Sequence, residues 1–248
     1  METKNPALGT KVIEQLRRAG QVSGGETMTV EGAINKTAFL LLLVVIPATW
    51  VWSQLLRGDV ADVMPWMIGG VIGGFIMAMV TIFKKEWAPV TAPIYAALEG
   101  LAIGGLSALF ETQYHGIVLQ AVALTFATLA CMLVAYRTGL IKVTDKFRMG
   151  VVAATGAIAL VYLVTMVLSL FHVNVGFMTQ GGTVGLVISG VIVIVAALNL
   201  ALDFDFIDQA VGAGAPKYVE WYAAFGLMVT LIWLYMEMLR LLSKMRRR

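Results

Sequence analysis

Three carboxylates stand within six positions at the end of a long apolar run: Asp203, Asp205 and Asp208 in LNLALDFDFIDQA. A carboxylate can hold a cation, exchange a proton or simply face water, and its surroundings decide among these. If the apolar run is a helix, its C-terminal end carries partial negative charge, which disfavours acids unless they are protonated, cation-bound or beyond the last turn. At about 100° per residue, Asp205 and Asp208 share a face, whereas Asp203 and Asp205 point well apart. Two further acids lie in apolar surroundings. Glu99 sits in YAALEGLAIGG with no Lys or Arg close in sequence, and Glu237 precedes Arg240 at the i,i+3 spacing of a helical ion pair.

The elements that carry these acids follow from composition. Of the 248 residues, 59% are hydrophobic and 13% charged, against roughly 45–50% and 25% in ordinary soluble domains. A helix needs about 20 mostly apolar residues to cross a bilayer, and such runs occupy 37–56, 63–83, 92–110, 116–136, 149–171, 182–202 and 219–242. Backbone groups must be paired within lipid, and unbroken runs of this length satisfy that only as helices. The expected fold is all-α, a polytopic bundle of seven transmembrane helices. A polar tail of residues 1–36 precedes the transmembrane domain of 37–242, and a basic tail of 243–248 follows. No cleavable leader is expected, because the first apolar run starts near residue 37 and is long enough to remain in the membrane.

Lys and Arg are retained in cytoplasmic loops. Lys4, Lys11, Arg17, Arg18, Lys36, Lys84, Lys85, Arg137, Lys142, Lys146, Arg148 and Lys217 fall on one side, and the opposite loops hold Arg57. This places the N-terminus in the cytoplasm. Seven crossings then put the basic end, Arg240 to Arg248, on the outer side, against the same rule; a last segment that re-enters without crossing is the alternative. Small residues four apart, Gly69/Gly73, Gly70/Gly74, Gly100/Gly104 and Gly181/Gly185, are expected on helix-packing faces.

Enzyme signatures are missing. The sequence has no His-Glu-x-x-His, no phosphate loop and no zinc-spaced Cys/His cluster. The histidines, His115 and His172, fall in loops away from Ser107 of GGLSAL, so a serine protease dyad is not expected. DFDFID places Phe204, Phe206 and Ile207 where a calcium-binding loop needs polar residues and a Gly turn. A non-enzymatic protein without a cofactor or a nucleic-acid partner is the expectation.

APIYAALEGLAIGGLSALFE, LNLALDFDFID and WYAAFGLMVTLIWLYMEMLRLLS, in this order along the chain from about Met28 onward, resemble the Bax-inhibitor-motif (TMBIM) superfamily in its bacterial YccA-like branch. The resemblance implies six helices around a central seventh, in a bacterial cytoplasmic membrane. It also implies a proton-sensitive calcium leak in which an aspartate near the end of the sixth helix pairs with one in the seventh. Other bacterial members are associated with a membrane-bound AAA protease that they restrain. Carried onto this chain, the sixth-helix aspartate is Asp203, while Thr230 stands where the second aspartate would lie.

The missing partner directs attention to Glu99, since the third and sixth spans place Glu99 and Asp203 in the same half of the bilayer. The leading expectation is a cation pathway with Asp203 and Glu99 as its inner acidic site and Asp205 and Asp208 at its mouth. Calcium is its permeant or bound ion, held by Asp203 and Asp205, and its partners are protons, calcium and lipid. The alternative is a non-transporting regulator that restrains an AAA protease through its cytoplasmic tail and loops.

Overall fold

The computed structural model describes residues 26–58, 60–171 and 183–247. His172, Gly181 and the tail residues Lys4, Lys11, Arg17 and Arg18 lie outside them. Seven long helices follow one another: α1 (Val30–Arg57), α2 (Val60–Phe83), α3 (Ala88–Gln113), α4 (Ile117–Arg137), α5 (Asp145–Leu170), α6 (Thr183–Gly212) and α7 (Val219–Arg246). A single turn of tighter helix, Lys85–Trp87, joins α2 to α3. Each of the seven is long and apolar enough to cross a membrane. Among the described residues the only β contact outside named strands is the isolated bridge between Thr27 and Pro216.

Most of the helices run past the expected apolar runs, because hydropathy fades where charge begins while a helix ends where its backbone is capped. Residues 30–36 belong to α1, not to a polar tail: the Thr29 hydroxyl accepts the Gly32 N–H at 3.0 Å and starts the helix there. Residues 243–246 likewise belong to α7 rather than to a basic tail.

The largest difference is in α6, which continues ten residues beyond position 202 to Gly212. Its end is set by Gly214 at φ +64, where the Gly214 N–H reaches the Val211 carbonyl and the Ala215 N–H reaches that of Ala210. That pair of hydrogen bonds is the Schellman stop, in which a glycine takes the left-handed conformation that other residues avoid. Asp203, Asp205 and Asp208 are therefore all helical residues, not a solvated acidic loop.

A continuous helix of 28 residues is about 42 Å long at 1.5 Å per residue. So α7 is a single unbroken helix long enough to cross a membrane completely. It is also the most enclosed helix, with 56% of its most apolar stretch buried against 17% or less in α1, α2, α4 and α5. The outer faces of the other helices carry Leu42, Ile46, Phe75, Leu119, Leu160 and Val184, all exposed. In water such a surface would be an association patch; here it meets lipid. The basic end of α7 is held by uncharged acceptors: Arg246 donates to the His115 carbonyl at 2.7 Å and to Gln120 at 2.9 Å, and Arg247 to the Tyr114 hydroxyl at 3.1 Å.

By its internal contacts the chain forms two compact units. One holds the residues up to Thr112 together with Asp205–Val229, and the other holds Gln113–Phe204 together with the chain from Thr230 on. In the first unit, α1 and α3 meet at glycines. A Cβ on Gly100 would run into the Val44 carbonyl and Pro47, and one on Gly104 into the backbone of Ala48. Gly70 faces the Leu98 carbonyl of α3 in the same way, whereas Gly69 has nothing within 4 Å. Val51, Leu55, Val63 and Ala108 form the apolar cluster between α1, α2 and α3.

The glycines therefore separate into two kinds. Gly104→Ala is expected to lower stability by about 1–3 kcal/mol through overpacking, while Gly69→Ala gains up to about 1 kcal/mol of helix propensity. Thermal unfolding of the two variants in detergent checks this, and equal midpoints would show that the α1–α3 contact is not made.

Candidate functional site

The extension of α6 decides the surroundings of its acids. Asp203 lies nine residues before the helix end at Gly212, so its peptide groups are within the hydrogen-bonded ladder. Its side chain shares a hydrogen bond with Thr230 of α7. The threonine hydroxyl answers one carboxylate oxygen, while Oδ2 is buried with no partner. Asp205 is half-buried and accepts from the Gln209 amide at 2.6 Å, one turn along the same helix. Asp208 is exposed.

Within one helix Asp203 and Asp205 point about 200° apart, so an ion held by one from this helix is out of reach of the other. Among the described residues no group of three or more His, Cys, Asp or Glu could hold a metal ion. The structure thus brings together Asp203 and Thr230, the position where the second aspartate was expected.

The second unit extends this pair into a row. On α7, Thr230, Glu237 and Lys244 recur every seven residues, and on α6 so do Ser189, Ala196 and Asp203. Seven residues are close to two turns, so each set lies on one face. The two helices run antiparallel in matching register: Asp203 meets Thr230 at one level, and Lys244 donates to Ser189 at 2.8 Å and to the Gly185 carbonyl at 3.2 Å at another. Between these levels α5 adds two polar contacts, again seven residues apart. Thr155 accepts from the Asn199 amide at 2.8 Å, and Tyr162 donates to Glu237 Oε1 at 2.7 Å.

Arg240 donates to the same Oε1 at 2.8 Å and lies over the Tyr162 ring, 5.0 Å from its centre. The helical ion pair expected from the sequence is present. Glu237 Oε2 is left buried without a partner, and with Asp203 Oδ2 it makes up the unpartnered buried side-chain oxygens among the described residues.

Glu99 belongs to the first unit and is half-buried on α3. Tyr95, one turn earlier, hydrogen-bonds to it. The Tyr95 ring in turn packs edge-on against Phe225 of α7 at 5.1 Å between centres. Gly74 of α2 faces the carboxylate, where a Cβ would stand 3.1 Å from Oε2. The glycine at this crossing of α2 and α3 thus leaves room for a carboxyl group.

A sixth acid, Glu220, is not marked by the sequence pattern, because it stands at the very start of the last apolar run, three residues after Lys217. It is fully buried. Oε1 accepts from the Thr29 N–H at 2.9 Å and the Thr29 hydroxyl at 3.1 Å, and Lys217 lies 3.5 Å away. Lys36 pairs with Oε2. Gly32 completes the cradle, since any Cβ there would overlap the carboxylate. The signal in the sequence was the row Thr29, Gly32, Lys36: a cap, a gap and a cation at helical spacing on one face of α1. Around it Met28, Ala33, Ile207, Ala210, Ala215, Val219 and Ala223 form an apolar cluster that excludes water.

Removing the charge of Glu220 strands Lys36. Glu220→Gln is expected to cost roughly 3 kcal/mol, the lower end of what breaking a buried ion pair costs. Gly32→Ala should give a similar loss, and the double variant should lose less than the two losses added, because both disturb one contact. Additive shifts in unfolding midpoint would show that Gly32 and Glu220 do not touch.

Seven helices long and apolar enough to cross a membrane, with acidic side chains buried or half-buried on several of them, define a multi-pass membrane protein. The sequence matches the family described as Bax inhibitor 1 like over residues 5–247, and the chain belongs to that family. No curated protein and no solved structure matches it.

Proposed function

We propose that this protein is a proton-sensitive cation leak pathway of the bacterial YccA-like branch, with calcium as its physiological ion and Asp203 as the residue that the ion or a proton meets. The N-terminus is cytoplasmic in this reading, in a bacterial inner membrane. The observation that supports it is the buried, unpartnered Oδ2 of Asp203 on a membrane-crossing helix. An ionised carboxylate inside the bilayer is costly unless something answers it, and such residues usually face a pathway. Thr230 supplies one neutral donor and no charge. A cation arriving at Oδ2 therefore meets a negative site undiluted by a protein cation, and a proton arriving there abolishes that attraction.

Asp205 and Asp208, further along α6, form an acidic approach that raises the local cation concentration. Glu99 of α3 is oriented by the hydrogen bond from Tyr95.

Calcium entry into proteoliposomes of the purified chain checks the reading. Asp203→Asn is expected to lower the flux about tenfold and to flatten its dependence on pH, since the substitution removes the charge that draws the ion. Thr230→Asp, which places the second carboxylate where the family resemblance expects it, should change the pH dependence because two adjacent acids titrate as a pair. Flux equal in wild type and Asp203→Asn overturns the role of Asp203, and no calcium entry from the wild type overturns the pathway and leaves a regulator without transport, acting on a membrane-bound AAA protease.

A further inference from the structure

We propose that the end of α7 holds the phosphate of an anionic phospholipid, with Arg246 and Arg247 as its donors and the apolar residues beside them as the seat of its acyl chain. The site is independent of the reading of Asp203 given above. Tyr114 and His115 are consecutive residues; the Tyr114 hydroxyl accepts from Arg247 at 3.1 Å and the His115 carbonyl from Arg246 at 2.7 Å, so the two guanidiniums come together at the start of α4. Both arginines are exposed. Lys244 stands on the same helix face as Arg247, one turn earlier, and reaches Ser189 and the Gly185 carbonyl near the start of α6. All of these residues belong to the second unit.

The protein does not neutralise this charge. The acceptors are carbonyls, hydroxyls and an amide, and among the described residues no carboxylate forms an ion pair with Lys244, Arg246 or Arg247. The nearest acid along α7, Glu237, holds Arg240 at 2.8 Å. The N-terminal ends of α4 and α6, beside which the cations lie, carry partial positive charge of their own, so these contacts add to the positive potential. Donor capacity also remains. A guanidinium presents more N–H groups than these contacts use: Arg246 commits one to His115 and one to Gln120, and Arg247 commits Nε to Tyr114. What is left has the fork geometry that binds a phosphate through two of its oxygens.

The surroundings decide which anion fits. Leu119, next to Gln120, is 75% exposed; Val184, next to Gly185, is 68% exposed; and Met245, between Lys244 and Arg246, is 55% exposed. Cations and bare apolar side chains thus stand side by side on one rim. A free phosphate leaves the apolar part unused, whereas an anionic phospholipid carries phosphate and hydrocarbon in one molecule. The rim lies where helices of membrane-crossing length end, the level at which head groups meet basic side chains. The basic end that runs against the charge rule for seven crossings thereby gains its counter-charge from the membrane itself.

The test titrates the purified full chain in a mild detergent with phosphatidylglycerol and, in parallel, with phosphatidylcholine, and counts bound lipids by native mass spectrometry. Wild type is expected to bind phosphatidylglycerol about tenfold more tightly than phosphatidylcholine. Arg246→Gln with Arg247→Gln is expected to lose about tenfold in affinity for phosphatidylglycerol and nothing for phosphatidylcholine, since each basic side chain facing an anionic membrane surface contributes several-fold. Arg246→Lys with Arg247→Lys keeps the charge without the fork and should recover part of the loss. A photoactivatable phosphatidylglycerol is expected to label wild-type protein at residues 119–120 or 245–247, which keeps the test intact if the variants fail to fold. Equal affinity of the wild type for the two lipids, phosphatidylglycerol binding unchanged in the double Gln variant, or labelling confined to other parts of the chain overturns the inference. So does displacement of the lipid by inorganic phosphate where chloride at equal ionic strength has no effect, a result that gives the donors to a free anion.

Discussion

Thr230 shares its hydroxyl with Asp203, and fourteen residues further along α7 Lys244 reaches Ser189 and the Gly185 carbonyl. These two contacts hold α6 and α7 in one antiparallel register, about 21 Å from end to end. The polar contacts between α6 and α7 depend on it. Shifted by one residue, Asp203 would turn about 100° away from Thr230 and Lys244 would lose both acceptors. Lipid gives helices no hydrophobic reason to prefer one register over another, so polar contacts and close packing must supply it.

The acids fall into two kinds that composition alone does not separate. Glu220 has donors on both oxygens and a cation beside it, and acts as a structural fastener. Asp203 and Glu237 each have one oxygen answered and one bare. A fully satisfied buried ion pair fixes geometry. A half-satisfied one keeps capacity for something that comes and goes. The distinction lies in the second oxygen, which depends on neighbours far away in sequence.

That dependence explains what could be read in advance. The seven spans were legible because hydropathy over twenty residues is a local property, and the Glu237–Arg240 pair because i,i+3 spacing is local too. The end of α6 was legible in principle: Gly214 followed by Pro216 is a helix stop, and it outweighs the loss of hydropathy after Leu202. The partners of Glu220 were not, since Thr29 and Lys36 lie 191 and 184 residues away. The packing glycines were half legible. Spacing marked Gly69 and Gly70 alike, yet only the structure shows that one faces a neighbouring backbone and the other faces open space.

The same separation bears on how the chain is made. Lys36 is synthesised with α1, and its counter-ion arrives only with α7. During the insertion of α2 to α6 that lysine has no Glu220 to answer it, and the Thr29 cap holds the end of α1 unaided. Assembly thus has a step set by chemistry: when α7 emerges, Glu220 docks under Gly32 and ties α7 to α1.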